Sequence, residues 1–424
     1  MRILITGATG FIGSALVAAL RKNGHQIVAC VHRGGKRRLP AGVEIEQVDY
    51  MRDTDESVWR PRLIGIDVVI NAVGILRETR HAQFDELHHL APLALFNACA
   101  SAGVKRVIQI SALGADDGAT SRYHRSKKAA DDALRASTLD WTIVQPSVVF
   151  GIDGASTQLF LRMASLPLTP LVASGDQRMQ PIHIDDLCAF VMKLIDQPLG
   201  IRQTIAAVGP QPVTMRDMLS IYRAGMGLGP LRTLGTPLPL MRLASRVGDV
   251  IHAGALSTET LEMLLRGNTA SARSISLILG HAPHALNEFI PAQQARTLQL
   301  QALESWLRPL MLISIAAMWI GAGAVSWLFA RAEGIALLEK LGLSLALATP
   351  AFIAACALNL GLGIATLVKP GRSLWLLQLA VMTFYTGALS WVAPSLWADP
   401  FGSLIKNLPI AALLIGLAVT ESRR

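Results

Sequence analysis

The sequence predicts an α/β fold, a doubly wound parallel sheet with a small cap domain, followed by an all-α transmembrane bundle. Apolar strand-like runs alternate with helical stretches over residues 1–150, and long uncharged stretches fill much of residues 306–424. Because helical stretches separate the strands, neighbouring strands are expected to be parallel. The six predicted strands are residues 2–6, 26–31, 43–48, 68–73, 106–111 and 141–145.

A glycine-rich turn follows the first predicted strand. Gly7, Gly10 and Gly13 form the pattern Gly-x-x-Gly-x-x-Gly, and an amphipathic helix and a second strand come after it. Gly7 permits the tight turn, Gly10 lets the backbone approach a pyrophosphate, and Gly13 lets the helix pack on the sheet. This context predicts a Rossmann NAD(P)-binding domain over residues 1–150. The cofactor-binding residues predicted in the turn are Gly7, Thr9, Gly10, Phe11, Ile12 and Gly13.

Further cofactor contacts are expected where the next strands end, because ligands bind at the carboxyl edge of a doubly wound sheet. Arg33 and Arg37 follow the second strand, where an NAD-preferring site usually presents a carboxylate. They favour NADPH over NADH, and the alternative is a solvated basic loop. Asp49, with Tyr50 beside it, is placed to accept a hydrogen bond from the adenine amine. The predicted cofactor-binding residues at the end of the fourth strand are Asn71, Ala72, Val73 and Gly74.

A tyrosine and a lysine follow the fifth strand with helical spacing. Tyr123 and Lys127 are four residues apart, so their side chains lie on one face of a helix. An ammonium group near a phenol lowers the pKa of the phenol from about 10 toward neutrality. Tyr123 is therefore predicted to be a general acid/base that exchanges a proton with a carbonyl or alcohol while hydride moves to or from a nicotinamide.

Taken together, these motifs resemble the short-chain dehydrogenase/reductase superfamily. The resemblance is closest to extended or atypical members of the NAD(P)-dependent epimerase/dehydratase type, related to the NDUFA9-like accessory subunits of respiratory complex I. It covers about 300 residues of the chain. The motifs that carry it are residues 6–13, 110–114, 123–127, 145–151 and 180–186.

The resemblance implies roles for several further residues. Lys127 is implied to hold the nicotinamide ribose, and Pro146 and Val148 are implied to line the nicotinamide side. In active relatives a Ser or Thr hydroxyl just after the fifth strand orients the substrate oxygen. This chain has Ala112 and Leu113 in the usual places, which leaves Ser111 as the catalytic substitute. The resemblance to the accessory subunits of this group implies cofactor binding without obvious turnover.

Four apolar stretches near the C-terminus are predicted to span a membrane. Residues 309–330, 342–368 and 374–398 contain no charged residue, and each exceeds the roughly 20 residues that a bilayer needs. The shorter stretch 404–420 carries Lys406, whose ammonium group is expected to snorkel to the interface. Residues 306–424 thus form a predicted four-helix membrane domain, which resembles the DoxX-like family. Residues 151–305 are assigned to the cap.

The chain opens directly with the first strand and shows no signal peptide, so the N-terminal domain and both termini are expected on the cytoplasmic side of an inner membrane. The net charge of +9 fits anionic lipid headgroups better than nucleic acid, because the basic residues form no nucleic-acid-binding motif. The four cysteines have no metal-ligand spacing and are expected to be reduced. No metal is predicted; the histidines 81, 88 and 89 are expected at the surface or an interface.

Three functions remain open at this level. The favoured one is a membrane-anchored oxidoreductase that acts on a lipid-soluble carbonyl or alcohol, such as a quinone or isoprenoid. The second is a non-catalytic NADPH-binding module, structural or redox-sensing, in a membrane protein complex, which Ala112 and Leu113 favour. The third, on fold analogy alone, is a sugar-nucleotide epimerase or dehydratase. Residues 237–254 form either a cap helix packed on its own domain or a basic amphipathic helix lying on the membrane.

Overall fold

The computed structural model describes residues 1–32, 39–76, 78–79, 82–250 and 257–421. Two compact units divide the chain, Met1–Leu303 and Glu304–Arg424. The strands, in chain order, are β1 Arg2–Thr6, β2 Gln26–Val31, β3 Glu44–Gln47, β4 Val68–Asn71, β5 Arg106–Ile110, β6 Trp141–Pro146, β7 Val149–Phe150, β8 Thr169–Val172, β9 Arg178–Met179, β10 Ile182–His183, β11 Gln203–Ala207, β12 Val213–Thr214 and β13 Thr233–Thr236.

The α-helices, in chain order, are α1 Phe11–Lys22, α2 Glu56–Trp59, α3 Ala91–Ala102, α4 Arg122–Arg135, α5 Ala155–Ser165, α6 Ile184–Asp196, α7 Met215–Gly225, α8 Leu238–Val250, α9 Thr258–Arg266, α10 Arg273–Leu279, α11 Ala292–Phe329, α12 Arg331–Lys340, α13 Leu345–Val368, α14 Arg372–Val392 and α15 Asn407–Thr420. A π-helical turn at Glu86–Leu90 leads into α3.

The first unit is built on a seven-stranded sheet with the order β11-β6-β5-β4-β1-β2-β3. Every pairing in it is parallel. The chain moves outward from β1 in one direction and then, from β4, in the other. The carboxyl ends of β1 and β4 therefore meet at the point where the strand order reverses, which is where such sheets bind ligands. The predicted α/β class and parallel sheet are confirmed.

Apolar side chains cover both faces of this sheet. Ile3 and Ile5 of β1 point into a cluster with α1, α6 and α10, whereas Leu4 points into a cluster with α2, α3 and α4. This alternation is what a strand buried on both faces requires. Edge strand β11 pairs with β6 although it comes from the region that the sequence analysis assigned to the cap.

The cap consists of short strand pairs beside α5 and α7. Strand β7 pairs with β10, β8 with β13, and β9 with β12. Its core contains the rings of Phe150, Tyr222 and Phe289, with the Phe150 centroid 5.2 Å from that of Tyr222 and 5.0 Å from that of Phe289. The cap thus has an aromatic core of its own.

The second unit is helical. Among the described residues, α11, α13 and α14 are long and apolar enough to cross a membrane by length and composition. Helix α15, the predicted fourth span, has only 14 residues, about 21 Å of helix at 1.5 Å per residue against about 30 Å of bilayer core. In the described part of the chain, three helices are therefore long enough to span a membrane, and α15 is apolar but shorter.

One end of this unit holds three helices together. Arg308 of α11 donates two hydrogen bonds of 2.8 Å to the carboxylate of Glu421, which directly follows α15. The indole nitrogen of Trp375, near the start of α14, lies 3.3 Å from the same carboxylate. The end of α15 therefore lies beside the start of α14, so the two helices are antiparallel.

Candidate functional site

The glycine turn packs backbone against backbone. Gly7 has φ +66°, and a Cβ at this position would lie 2.6 Å from the carbonyl oxygen of Ala72 and 2.9 Å from the amide nitrogen of Val73. A Cβ on Gly13 would overlap the carbonyl oxygen of Gly7. Since backbone atoms cannot rotate away as a flexible side chain can, neither glycine can be replaced without moving the turn.

Helix α1 begins at this turn and presents its N-terminus to the sheet edge. Its N-cap is Gly10; the first turn has no side-chain cap hydrogen bond and no acidic residue. Thr9, Phe11 and Ile12 are half-buried, and the Phe11 ring lies against Gly151, where a Cβ would come within 2.7 Å of Cζ. The first-turn N–H groups and the positive end of the helix dipole fit a dinucleotide pyrophosphate.

A hydrogen-bond network joins the carboxyl ends of the central strands. The side-chain oxygen of Asn71 accepts from the hydroxyl of Thr6 at 2.6 Å and from that of Tyr50 at 3.1 Å. Its amide nitrogen donates to Gln109 at 2.7 Å. All four side chains are buried. The network fixes the ends of β1, β4 and β5 beside the glycine turn.

Helix α4 presents three polar side chains along one face. The hydroxyl of Ser121 caps the helix by accepting from the backbone N–H of His124 at 3.1 Å. Tyr123, Lys127 and Asp131 follow at intervals of four residues, and all three are buried. Intervals of four place successive side chains one turn apart on the same side of a helix.

The ring of Tyr123 lies among apolar side chains, and these surroundings are called the Tyr123 pocket below. Its side chain, 9% exposed, packs with Phe84 and Ala112, and the half-buried Ile75 and Met263 complete the cluster. Burial raises the pKa of Tyr123 to about 12, and the negative charge of Asp131 adds to the rise. At neutral pH the phenol is therefore protonated.

Lys127 extends from α4 to the carboxyl ends of two strands. Its Nζ donates to the carbonyl oxygens of Val73, 2.8 Å away, and Ile110, 3.2 Å away. A Cβ on Gly74 would lie 3.0 Å from this nitrogen. Burial lowers the pKa of Lys127 to about 8, although Asp131 opposes the shift. Two of the three ammonium hydrogens are thus held by main-chain oxygens at the predicted nicotinamide end of the site.

Asp131 occupies the innermost position of the α4 face. Its Oδ2 accepts from the hydroxyl of Ser111 at 2.6 Å and from the side-chain amide of Gln145 at 3.3 Å. Oδ1 has no hydrogen-bond partner in the described part of the chain. Burial raises the pKa of Asp131 to about 6, and the two donors and Lys127 limit the rise. At neutral pH its carboxylate is the counter-charge nearest to Lys127 along the helix.

His88 stands beside Tyr123 in a fixed neutral form. Its Nε2 accepts from the backbone N–H of Ile75 at 3.0 Å, so Nδ1 carries the proton and donates to the hydroxyl of Ser126 at 2.8 Å. The His88 and Tyr123 ring centroids are 5.6 Å apart. Burial lowers the pKa of His88 to about 2, and the charge of Lys127 lowers it further. The imidazole is a structural wall of the pocket and carries no charge.

Helix α9 closes the pocket from the other side. The carboxylate of Glu259 accepts from the backbone N–H of Tyr123 at 2.6 Å. Arg266 donates to the carbonyl oxygen of Gly114 at 2.6 Å and to the carboxylate of Asp116 at 2.5 Å. Together with Met263 in the Tyr123 cluster, these contacts hold α9 against the start of α4 and the turn after β5.

Two family models match the chain. Residues 7–198 match the NAD(P)H-binding family, and residues 316–415 match the DoxX-like family. The first match contains the glycine turn and the α4 face, and the second contains most of the apolar helices. The predicted combination of an NAD(P)-binding domain and a DoxX-like domain is confirmed, and the second domain indicates membrane association.

Curated relatives decide the family. The mitochondrial NADH dehydrogenase (ubiquinone) 1 alpha subcomplex subunit 9 of Arabidopsis thaliana is 31% identical over 307 residues, which cover 67% of this chain and 75% of that protein. The chain belongs to the subunit 9 family. A ceramide reductase of Caulobacter vibrioides is also 31% identical, over 198 residues that cover 46% of this chain and 62% of that protein.

Solved structures share the fold of this subunit 9 family member. A nucleoside-diphosphate-sugar epimerase from Staphylococcus aureus superposes with a TM-score of 0.55 at 18% identity, covering 68% of this chain and 99% of that one. A UDP-glucuronic acid 4-epimerase from Bacillus cereus, solved with UDP-glucuronic acid and NAD, gives 0.53 at 19% identity, covering 70% of this chain and all of that one. At these identities the likeness shows the fold alone.

The structure bears on two predictions about the catalytic residues of this subunit 9 family member. Lys127 was expected to lower the pKa of Tyr123, but burial raises it, and the Lys127 ammonium hydrogens go to main-chain carbonyls. Ser111 was expected to orient a substrate oxygen, but its buried hydroxyl donates its proton to Asp131. A hydroxyl has one proton to donate, so Ser111 has none left for a substrate carbonyl.

The other predicted cofactor residues fall into three groups. The side chains of Tyr50 and Asn71 belong to the strand-end network, so either residue would contact a cofactor through its main-chain atoms. The carboxylate of Asp49 is 39% exposed and accepts from a neighbouring backbone N–H, which leaves it accessible. Arg33 and Arg37 lie outside the described residues.

The nicotinamide-side residues implied by the family lie at the end of β6. The carbonyl oxygen of Pro146 accepts from the N–H of Leu113 at 2.9 Å, which fixes the turn after β5 to β6. The N–H of Val148 donates to the side chain of Asn268 at 2.9 Å. Both residues therefore stand at the same carboxyl edge as Lys127.

Sequence reasoning missed several residues of the site. Of the three histidines expected at the surface or an interface, His88 is fully buried and lines the site, His89 is half-exposed and His81 lies outside the described residues. Asp131 was visible in the four-residue spacing after Lys127, because the same rule that pairs Tyr123 with Lys127 extends to it. No local sequence pattern indicated that Glu259 belongs to the site. Among the described residues no group of His, Cys, Asp and Glu is arranged to hold a metal ion.

Proposed function

We propose that this protein is a membrane-anchored, NADPH-preferring reductase of the short-chain dehydrogenase/reductase type that acts on a lipid-soluble carbonyl, such as a quinone, an isoprenoid or a ceramide-like ketone. The observation that carries the proposal is the pairing of Tyr123 and Lys127 on α4 at the carboxyl edge of the sheet. The apolar side chains packed around Tyr123 suit an apolar substrate. The similarity to a ceramide reductase supports a lipid carbonyl.

The residues of this chain fit a bound NADPH. The glycine turn and the first turn of α1 would hold the pyrophosphate, and Lys127 would hold the nicotinamide ribose through its third hydrogen. When bound, the cofactor supplies hydride to the carbonyl carbon. Tyr123 donates its phenol proton to the carbonyl oxygen, which completes the alcohol, and the tyrosinate regains a proton from solvent.

The electrostatics of the pocket favour reduction over oxidation. A general acid must be protonated when the reaction starts, and the raised pKa keeps the Tyr123 phenol protonated at neutral pH. Oxidation of an alcohol would need the phenolate, which the apolar pocket disfavours. Lys127, positively charged below its pKa, would contribute by holding the nicotinamide ribose in place.

The pH dependence of reduction follows from Lys127. Its lowered pKa of about 8 means that the ammonium charge is lost as pH rises through 8, well below the usual range for lysine. We expect the reduction rate to fall about tenfold for each pH unit above 8 if that charge is required. Steady-state rates measured from about pH 6 to about pH 10, about two units either side of the Lys127 pKa, test this pH dependence.

Lys128 offers a matched control for the pH profile. Its ammonium forms ion pairs with Asp117 and Asp132 on the outside of α4, and these hydrogen bonds raise its pKa. The Lys128→Gln variant is expected to keep the alkaline limb of the wild-type profile. A rate that stays constant from neutral pH to pH 10, or a limb that disappears in Lys128→Gln, contradicts the role given to Lys127.

The preference for NADPH rests on the basic sequence after β2. Charge-assisted hydrogen bonds from guanidinium groups to a phosphate contribute about 1.5–3 kcal/mol each. The double variant Arg33→Ala/Arg37→Ala is expected to weaken NADPH binding by about 10²- to 10⁴-fold and to leave NADH binding nearly unchanged. Calorimetric titration with both cofactors measures this. Equal losses for the two cofactors would contradict recognition of the 2′-phosphate.

The membrane orientation is part of the same proposal. We infer that the N-terminal domain and both termini are cytoplasmic, with α15 returning to the side where the apolar part of α11 begins. The Arg308–Glu421 pair supports this return, because Arg308 lies where the apolar part of α11 begins and Glu421 directly follows α15. The short α15 requires local thinning of the bilayer or a contribution from the turn at residues 403–406.

A second function is favoured by one specific observation. The Ser111 hydroxyl is held by Asp131, and Ala112 and Leu113 supply no hydroxyl in its place. A non-catalytic, NADPH-binding module of a membrane complex needs no such group, and relatives named as NADH dehydrogenase subunits accord with it. This alternative predicts tight NADPH binding with no carbonyl reduction, and Tyr123→Phe would then change neither property.

A further inference from the structure

Helix α8 exposes a row of large apolar side chains. Leu240, Leu243 and Val247 are 55%, 58% and 50% exposed, and their spacing of three and four residues places them on one side of the helix. Ser245 and Gly248 are buried on the opposite side, where α8 packs against α9. Single exposed leucines are ordinary, but three in a row on one helix form an unpartnered apolar face. We call Leu240, Leu243 and Val247 the α8 face.

Two arginines flank the α8 face. Arg242 and Arg246 are exposed and lie one turn apart. Within the described ranges, neither forms an ion pair. The nearby Asp249 is engaged elsewhere, because its carboxylate accepts from the hydroxyl of Thr258 at 2.7 Å and lies 3.2 Å from the backbone N–H of that residue. The exposed side of α8 is therefore half apolar and half positively charged.

We propose that α8 lies on an anionic bilayer surface. The α8 face would enter the boundary between headgroups and acyl chains, and the two flanking arginines would bind lipid phosphates. Apolar residues on one side and basic residues beside them are the pattern of helices that lie in the membrane interface. The inference rests on the exposure and charge of α8 and holds whether or not Tyr123 is catalytic.

An anionic bilayer fits this surface better than a second protein does. The two arginines offer charge to phosphate groups, and the same chain carries helices that associate with a membrane. Strand β13, which leads into α8, also exposes Leu234, and Leu168 is exposed next to the paired strand β8. Apolar exposure thus extends to the strand that precedes α8 and to the residue before its partner strand. Through α9, which contacts Tyr123, the surface would place the pocket next to the lipid phase.

The test places a fluorescent label on α8 in the full chain. The four native cysteines are buried, so an NBD label on a Leu243→Cys variant is site-selective. The protein is reconstituted into vesicles of phosphatidylcholine alone or mixed with phosphatidylglycerol, with and without brominated acyl chains. We expect bromine to lower the emission about twofold or more in the anionic vesicles, because the face is buried about 5–10 Å into the interface, and to have little effect in the neutral ones.

Two controls isolate the lipid contact. The same label on Ile64→Cys, 74% exposed in a loop distant in sequence, is expected to remain unquenched in both vesicles. Adding Arg242→Gln/Arg246→Gln to the Leu243→Cys variant is expected to abolish quenching in the anionic vesicles. NADPH titration of each labelled variant verifies that the domain is folded.

Three results would overturn the proposal. A Leu243 label that remains in water in the anionic vesicles removes the membrane contact. Equal quenching in neutral and anionic vesicles contradicts the role of the arginines. The third result is a label that is shielded from water but not quenched by bromine, with shielding that increases as the protein-to-lipid ratio rises. That result would mean that the α8 face binds a second copy of the chain.

Discussion

Replacing Tyr123 by phenylalanine is expected to lower the rate of lipid-carbonyl reduction by about 10²- to 10⁴-fold, the range that a positioned general acid contributes. The aromatic ring packs with Phe84 and Ala112, and phenylalanine keeps these contacts. Only the phenol proton is removed. Binding of NADPH, measured by titration, is therefore expected to stay within about twofold of wild type.

Tyr222 provides the matched control. It is as buried as Tyr123, and burial likewise raises its pKa, but it lies in the aromatic core of the cap. Tyr222→Phe is expected to leave the reduction rate unchanged. If Tyr123→Phe retained the wild-type rate, the proton would come from another group, and the α4 face would have no catalytic role.

Replacing Gly13 by alanine is expected to damage cofactor binding. A Cβ at this position would overlap the carbonyl oxygen of Gly7, so the start of α1 must move away from the turn. Overpacking of this kind costs about 1–3 kcal/mol, which corresponds to about 10- to 100-fold in the Kd for NADPH if the displacement falls on the pyrophosphate site. Calorimetric titration measures the change, and circular dichroism checks the fold.

Gly24 is the matched control for this substitution. It has φ +84°, but a Cβ there would have no atom within 4 Å. Gly24→Ala is expected to cost about 1–2 kcal/mol of stability through backbone strain while the Kd for NADPH stays unchanged. If the two variants bound NADPH equally well, the glycine turn would not be the pyrophosphate site.

The sheet and the α4 pair were predictable because their signals are local. Strand periodicity located six sheet strands to within two residues of their bounds, and the spacing of Tyr123 and Lys127 predicted a shared helix face. Strand β11 was assigned to the cap because its pairing with β6 spans about 60 residues of chain and leaves no mark in either segment. The helical pattern of 404–420 likewise did not predict where α15 begins.

The chemistry of the site was less predictable than its location. The sequence places an ammonium group near a phenol, but it does not reveal how dry the surroundings are. In the structure, burial dominates the pKa of Tyr123, and main-chain carbonyls occupy Lys127. The cover from Glu259 and Met263 comes from a helix more than a hundred residues later in the chain. Such contacts depend on tertiary packing, which no local pattern encodes.

The most direct test follows deuteride from the cofactor to a lipid. The full chain is reconstituted in vesicles with NADPH deuterated at C4 of the nicotinamide and with long-chain ketone, quinone and isoprenoid carbonyl substrates. We expect that a ketone or isoprenoid carbonyl gains deuterium at the carbinol carbon, or that a quinone is converted to its quinol, at a rate that Tyr123→Phe lowers by about 10²-fold or more. Tight NADPH binding with neither a deuterated alcohol nor a quinol formed would contradict this and would assign the protein to the cofactor-binding alternative.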